Sequence, residues 1–337
     1  PTEAKFKDKQ FADETARMFF RQLLRNGTTT ANIFATTFPE SVDAIFEESE
    51  RYNALTICGK VLQDRNLPDN LKDRSAENSV VESEGLLRKW HGKGRRLYAV
   101  APRFAPTSSR LQLKLAGELY QAYVGKGVYM HTHLDEAYNE IEWVKELYPE
   151  ATDYTDVYAR YGLVGRRSVF AHCCLMEERE WDVLYDAGCG VVHCPSSNLF
   201  LGDGEFKFWE AKERLRPCKT GIGTDVGGGT NFSVFRQLGD AYKVGMLKDR
   251  YLSPERSLYL ATRGGAEVLG LDDRIGSIFP GYDADLVVLD LKPTEFLEWR
   301  LKFAEDIFAK LFVMQTTGVE NLVRATYIAG EKVFQNG

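Results

Sequence analysis

Residues 131–136 read His-Thr-His-Leu-Asp-Glu, directly after the apolar run Gly127-Val-Tyr-Met130. A neutral imidazole at a strand end, here His133, can hold Zn²⁺ or Fe²⁺, and a carboxylate three residues on, Glu136, can carry a proton to and from a bound water. Two more strand-like segments end in a residue of the same kind, Ser168-Val-Phe-Ala-His172 and Thr220-Gly-Ile-Gly-Thr-Asp225. His172 could ligate the metal, or hydrogen-bond the attacking water or the atom it attacks. Asp225 can ligate metal and accept a proton from its water, inside a Gly-Thr-Asp-Val-Gly-Gly-Gly run whose glycines let backbone approach a substrate. The same loop could cradle phosphate, but no Gly-Lys-Ser/Thr follows it and no Gly-x-Gly-x-x-Gly opens a helix there. Three strands that each deliver a His or Asp at the C-terminal end predict a metal-assisted hydrolase on a parallel barrel.

Further candidates lie beside these. His193, in His-Cys-Pro-Ser-Ser-Asn198, ends the intervening strand, where a supporting role is as reasonable as a catalytic one. Arg103 and Phe104 follow the strand at 96–101; a guanidinium at a barrel mouth can read a carbonyl oxygen or ring nitrogen, and an aromatic ring can stack on a planar substrate. The plain alternative for Arg103 is a loop arginine capping a helix. His131 precedes His133 by two positions, so both face one side of the strand. His91, in Trp-His-Gly, reads as a surface residue. About forty residues separate His133 from His172, room for one βα unit, so His131-Thr-His133 sits in mid-barrel rather than opening it.

The elements that must position these groups alternate as βα units do. Candidate strands are 27–34, 54–61, 96–101, 127–133, 168–172, 190–194 and 220–225, and candidate helices lie near 9–25, 40–52, 109–124, 136–147, 176–187, 205–215, 231–246 and 254–269. A closed barrel of this class takes eight strands. Seven strands with a helix before the first predict that the missing one lies upstream of Pro1, since an open sheet would leave two unpaired edges. The fold expected is therefore α/β: a TIM-like (β/α)8 barrel over 1–274 holding strands 2 to 8. After about residue 270 the pattern changes to a turn and strand at 275–290, an aromatic-rich helical stretch at 294–313 and a hairpin at 320–335 turning at Ala329-Gly330. Residues 275–337 read as the remnant of a small β-sandwich domain.

Composition narrows the partners. A hydrophobic content of 44% and a charged content of 27% are those of a globular protein, and a net charge of −6 offers nothing to nucleic acid or an anionic membrane. The basic cluster from Arg88-Lys89 through Lys93 to Arg96 reads as a solvated loop. No apolar stretch approaches the roughly 20 residues that span a bilayer, and the first ten residues are too polar for a signal peptide. The six cysteines form no Cys-x-x-Cys pair, so reduced, buried thiols and a cytoplasmic location are expected.

The blocks Asn26-Gly-Thr-Thr-Thr-Ala31, Pro102-Arg-Phe104, His131-Thr-His-Leu-Asp-Glu136, Phe170-Ala-His172, His193-Cys-Pro-Ser-Ser-Asn198 and Gly223-Thr-Asp-Val-Gly-Gly228 resemble the guanine deaminases of the amidohydrolase superfamily. The stretch from Val144-Lys-Glu-Leu-Tyr-Pro149 to Tyr154-Thr-Asp-Val-Tyr158 is similar to that family too, and separates it from broader relatives. The resemblance runs from the first helix to the C-terminal hairpin. It implies hydrolysis of guanine to xanthine and ammonia, in purine breakdown, at one zinc ion in a homodimer. The metal would be held by a first-strand His-x-His, by His133 and by Asp225. Glu136 would be the proton shuttle, protonating the ring nitrogen and then the departing amine. His172 would orient the hydrolytic water, and Arg103 with Phe104 would hold the purine.

The first-strand His-x-His has no counterpart here, which predicts weak zinc binding and impaired activity for this chain. Rival readings are another deaminase or chlorohydrolase of the superfamily, acting on a cytosine, a triazine or an adenosine derivative, and a non-catalytic truncated form acting through protein interaction. Pro102-Arg-Phe104 favours guanine, and retention of His133, Glu136, His172 and Asp225 together speaks against drift. Zinc deaminases of the cytidine type need Pro-Cys-x-x-Cys, whereas Pro195 is followed by Ser-Ser-Asn.

Overall fold

A computed structural model of the chain describes residues 2–318 and 320–336, which form two compact units. The first is a βα succession: α1 (Lys9–Arg25), β1 (Thr30–Phe34), α2 (Pro39–Arg51), β2 (Leu55–Gly59), β3 (Val61–Leu62), α3 (Ala76–Trp90), β4 (Arg96–Pro102), α4 (Arg110–Tyr123), β5 (Tyr129–Leu134), α5 (Tyr138–Leu147), α6 (Tyr154–Arg160), β6 (Ser168–His172) and α7 (Glu178–Ala187). Its strands lie in the order β1-β2-β4-β5-β6, with β3 pairing β4. The pairs β1–β2, β2–β4 and β4–β5 are all parallel. Parallel pairing gathers the C-terminal ends of these strands along one edge, which is where the sequence places its chemistry.

Local sequence explains the elements. In α1 the buried positions Ala12, Ala16, Phe20, Leu23 and Leu24 recur at helical spacing and form one apolar stripe. Strand β2 is buried along its whole length, and Tyr98 to Ala101 of β4 are inaccessible, as expected of strands covered on both faces.

The second unit carries β7 (Gly190–His193), α8 (Pro195–Leu201) and β8 (Lys219–Ile222), then helices at Phe208–Lys212, Val234–Leu247, Pro254–Tyr259, Gly265–Leu269, Glu295–Leu301 and Ile307–Thr317. A separate antiparallel sheet takes β9 (Leu286–Leu289), β10 (Val323–Ile328) and β11 (Glu331–Gln335) in the order β11-β10-β9. Ala329 and Gly330 both have positive φ (49° and 86°), as a two-residue type I′ hairpin turn requires.

Each of the seven candidate strands is present, with adjusted ends. The run 54–61 is broken at Lys60, and the 220–225 run stops at Ile222, leaving Asp225 in the loop beyond. The 294–313 stretch is two helices, and 254–269 is divided by a π-helical turn at Leu260–Gly264. Three helices went unread: α3, α6 and α8. The solvated-loop reading of 88–96 is corrected, because Arg88 and Lys89 end α3 and Arg96 is buried. Its guanidinium lies 2.8 Å from Glu50 and 5.4 Å from the Trp90 ring centroid. His91 is likewise no plain surface residue, since Nδ1 accepts from the Tyr98 N–H at 3.0 Å and Nε2 faces the Lys126 carbonyl at 3.0 Å. All six cysteines are buried. Among the described residues no helix is long and apolar enough to cross a membrane.

Candidate active site

Because β4 and β5 run side by side, the end of one strand meets the end of the other. The Arg103 carbonyl faces three donors of β5: the His133 N–H at 3.2 Å, His133 Nδ1 at 2.8 Å and the Thr132 hydroxyl at 3.1 Å. A carbonyl only accepts, so the imidazole proton sits on Nδ1 and Nε2 carries the lone pair, the tautomer a metal ligand needs. The ring lies between two aromatics, Phe34 at 4.8 Å and Phe104 at 6.3 Å between centroids. Arg103 is exposed and does not cap a helix; its guanidinium lies over Phe104, 4.9 Å from the centroid, and Trp143 meets Phe104 edge-on at 6.4 Å. A cation and an aromatic face thus stand together beside His133.

His131 shares the His133 face, as its spacing predicts. It stacks on Phe34 at 3.9 Å, its Nδ1 is 2.7 Å from the Asn32 amide oxygen, and burial drives its pKa down to about 3. It is a neutral residue of the core. Past Leu134 the chain turns through Asp135, whose φ is +49°. Asp135 is buried, and desolvation together with the nearby Glu180 carboxyl pushes its own carboxyl well above the usual range. The turn leaves Glu136 half-buried.

His172 ends β6 with φ at +72°, and Cys173 follows at +50°. Such values are strained for residues with a side chain, costing on the order of 1–3 kcal/mol each, and they cluster at functional sites. The amide nitrogen of Asn198 lies 3.3 Å from His172 Nδ1, and because the amide donates, the His172 proton sits on Nε2. His133, with its Nε2 lone pair, and Glu136, three residues on, offer an imidazole and a carboxylate at one strand end, donor types that suit a zinc ion and its water. His172 falls in the second unit, and so does Asp225. Asp225 opens the glycine loop with φ at +46°, and its carbonyl accepts the Gly228 and Gly229 N–H groups at 3.1 and 2.5 Å. His193 is buried against Phe206 at 4.7 Å with its pKa driven down to about 3 by desolvation, as befits a packing residue.

The amidohydrolase family pattern matches residues 3–333. The chain belongs to the amidohydrolase family. The guanine deaminase of Escherichia coli K12 is 46% identical over 99% of this chain and 75% of its own length. A solved structure of E. coli guanine deaminase superposes with a TM-score of 0.97 over 100% of this chain and 78% of that one. Guanine deaminase from C. acetobutylicum, solved with guanine bound in its active site, is 27% identical with a TM-score of 0.89, covering 99% and 78%. An adenosine deaminase from Xanthomonas campestris, solved with bound zinc, shares the fold at 23% identity and a TM-score of 0.82, covering 96% and 70%. The resemblance read from the motif blocks therefore stands, and this amidohydrolase has the α/β fold expected of it.

The residues beside His133 and its neighbours that the motifs do not mark are Phe34, Asn32 and Trp143. Phe34 closes β1, so the strand-end rule that picked out His133 also applies to it. Asn198 stood inside a quoted motif with no role. Trp143 had no signal beyond its place on α5, because helix side chains reach a site only through packing that a sequence does not display.

Proposed function

We propose that this chain hydrolyses guanine to xanthine and ammonia with one zinc ion, His133 and Asp225 being the residues that would hold the metal. Zinc would supply Lewis acidity, making water a nucleophile near neutral pH. His172 orients that water through its Nε2–H, the role that the Asn198 contact favours over ligation. Asp225 takes the first proton of the water as oxygen adds to the amino-bearing carbon. Glu136 starts protonated: it gives its proton to the ring nitrogen, takes the proton of the added hydroxyl and passes it to the amine, whose bond to carbon breaks as ammonia leaves, and the proton on Asp225 then restores Glu136. Phe104 stacks on the purine, and Arg103 reads its carbonyl oxygen or ring nitrogen. Residues 1–274 form the catalytic part and 275–337 an accessory one.

The observation that carries this reading is the Arg103 carbonyl, through which the purine-holding residue also sets the tautomer of His133. Similarity to the E. coli guanine deaminase makes guanine the first substrate to try. The test is chromatographic detection of xanthine from guanine with added zinc, beside a Glu136→Gln variant. The substitution lowers kcat by about 10²–10⁴-fold while KM stays within about threefold, as expected for a lost proton relay. No xanthine from the parent chain, or turnover of a triazine or cytosine derivative instead, overturns the assignment.

A further inference from the structure

Residues 144–158 contribute no side chain to the chemistry proposed above. They do contribute two buried hydroxyls to the loop that carries Arg103 and Phe104. The Tyr158 hydroxyl donates to the His133 carbonyl at 2.9 Å, accepts from the Ala105 N–H at 3.0 Å and lies 3.0 Å from the Thr132 hydroxyl. That uses the phenol's single proton and one of its two acceptor positions, while the one proton of the Thr132 hydroxyl goes to the Arg103 carbonyl or to the phenol. The Tyr148 hydroxyl faces the Ser108 carbonyl at 2.6 Å and accepts from Arg65 at 2.7 Å. Burial holds both phenols protonated, with pKa values raised by desolvation.

We infer that Tyr158 and Tyr148 are positioning residues that set the Arg103–Ser108 loop against His133, so that this segment governs how tightly the purine is held; the inference rests on the reading of Arg103 and Phe104 as the purine-binding pair. The two hydroxyls divide the task. Tyr148 reaches the loop through Ala105 and Ser108, and Arg65 beside it, without touching the backbone of His133, and so acts on the purine side. Tyr158 touches the loop and the backbone of His133 together, and so acts on both the purine and the metal side. The rings keep their own contacts without the hydroxyls: Tyr158 lies 5.9 Å from Phe170 and 5.5 Å from Tyr154 between centroids, and the Arg65 and Arg110 guanidiniums each lie 5.0 Å from the Tyr148 centroid.

The test compares the parent chain with Tyr158→Phe, Tyr148→Phe and, as control, Tyr185→Phe, whose residue is 41% exposed. Three quantities are read: hydrogen exchange at the Ala105 amide, zinc affinity by chelator competition, and KM for guanine. For Tyr158→Phe, Ala105 exchanges at least about tenfold faster, zinc affinity falls about tenfold and KM rises about tenfold. For Tyr148→Phe, KM rises several-fold while zinc affinity stays within about twofold. A merely structural loss would move all readouts of both variants in parallel, and that outcome overturns the inference, as does Ala105 exchange within twofold of parent in Tyr158→Phe. If the parent chain shows no affinity for guanine, the functional reading fails separately, and Ala105 exchange with zinc affinity still decides whether Tyr158 positions His133. Should Tyr158→Phe not fold, Thr132→Val removes the neighbouring hydroxyl and is read against the same criteria.

Discussion

Lys60 breaks the second strand and is buried completely, and replacing it with methionine should cost more than any surface change in the chain. Its ammonium pairs with Asp73, 2% exposed, and stands 3.5 Å from Glu82, which is 34% exposed. Asp73 also accepts from the Gln63 N–H at 2.9 Å and the Gln112 amide at 3.1 Å. Methionine fills nearly the same volume, so Lys60→Met removes the charge without opening a cavity. The Asp73 carboxylate is then buried without its cation, which costs about 3–5 kcal/mol when one partner of a buried pair is deleted. Adding Asp73→Asn removes the stranded charge, so the double variant should recover to within about 2 kcal/mol of the parent. Desolvation already raises the Asp73 pKa, and Lys60 is what opposes it. A carboxyl whose folded pKa lies above its unfolded value binds a proton more readily in the folded state. The deficit of Lys60→Met therefore shrinks as pH falls through that raised pKa. Urea unfolding followed by tryptophan fluorescence at pH 8 and pH 5 measures all of this. A single variant within 1 kcal/mol of the parent, or a double variant as unstable as the single one, would refute the reasoning.

Two other perturbations have clear expected outcomes. Burial drives the His193 pKa from its ordinary 6.5 down to about 3, so its contribution is complete above 6.5 and is lost as pH falls towards 3. The slope is about 1.4 kcal/mol per pH unit in that window, so His193→Gln should lose about 2 kcal/mol less than the parent between pH 7 and pH 5 in urea titrations. In the Asp225 loop, a Cβ at Gly229 would stand 2.0 Å from the Thr224 carbonyl oxygen and 3.0 Å from that of Asp225. Gly229→Ala must therefore move the loop by about an ångström, and kcat/KM for guanine should fall about 10²-fold; an unchanged value would remove Asp225 from the site.

What was legible in the sequence follows from period and punctuation. Strands β2 and β4 to β8 are short β-rich runs between turn signals, and α1 shows a clean apolar stripe ended by Asn26-Gly27. Helix α3 escaped because its buried stripe is Ala76, Ser79, Ser83, Leu86, Leu87 and Trp90. Two serines occupy its core positions, paired with Gln112 and Tyr98, so hydrophobic periodicity fades where burial does not. Helices α6 and α8 are seven residues each, too short for any period to register. Lys60 was hidden for the opposite reason, being a charge within an apolar run whose partner arrives 13 residues later.

The site divides along the same line. The reading of His133, Glu136 and His172 rests on strand ends in a parallel sheet collecting on one edge, where the residue type at an end states the chemistry available. The tautomer that leaves a lone pair on His133 Nε2 is set by the carbonyl of residue 103, and the backbone of residue 105 is held by the hydroxyl of residue 158. Main-chain groups are the same in every residue, so no sequence pattern marks the positions where they act. A motif can therefore identify which side chains could do the chemistry, while the backbone contacts that orient them emerge only when the strands are laid side by side. Substituting a side chain that reaches such a contact, as Tyr158 does, is consequently a sharper probe of this site than substituting another exposed arginine or acid around it.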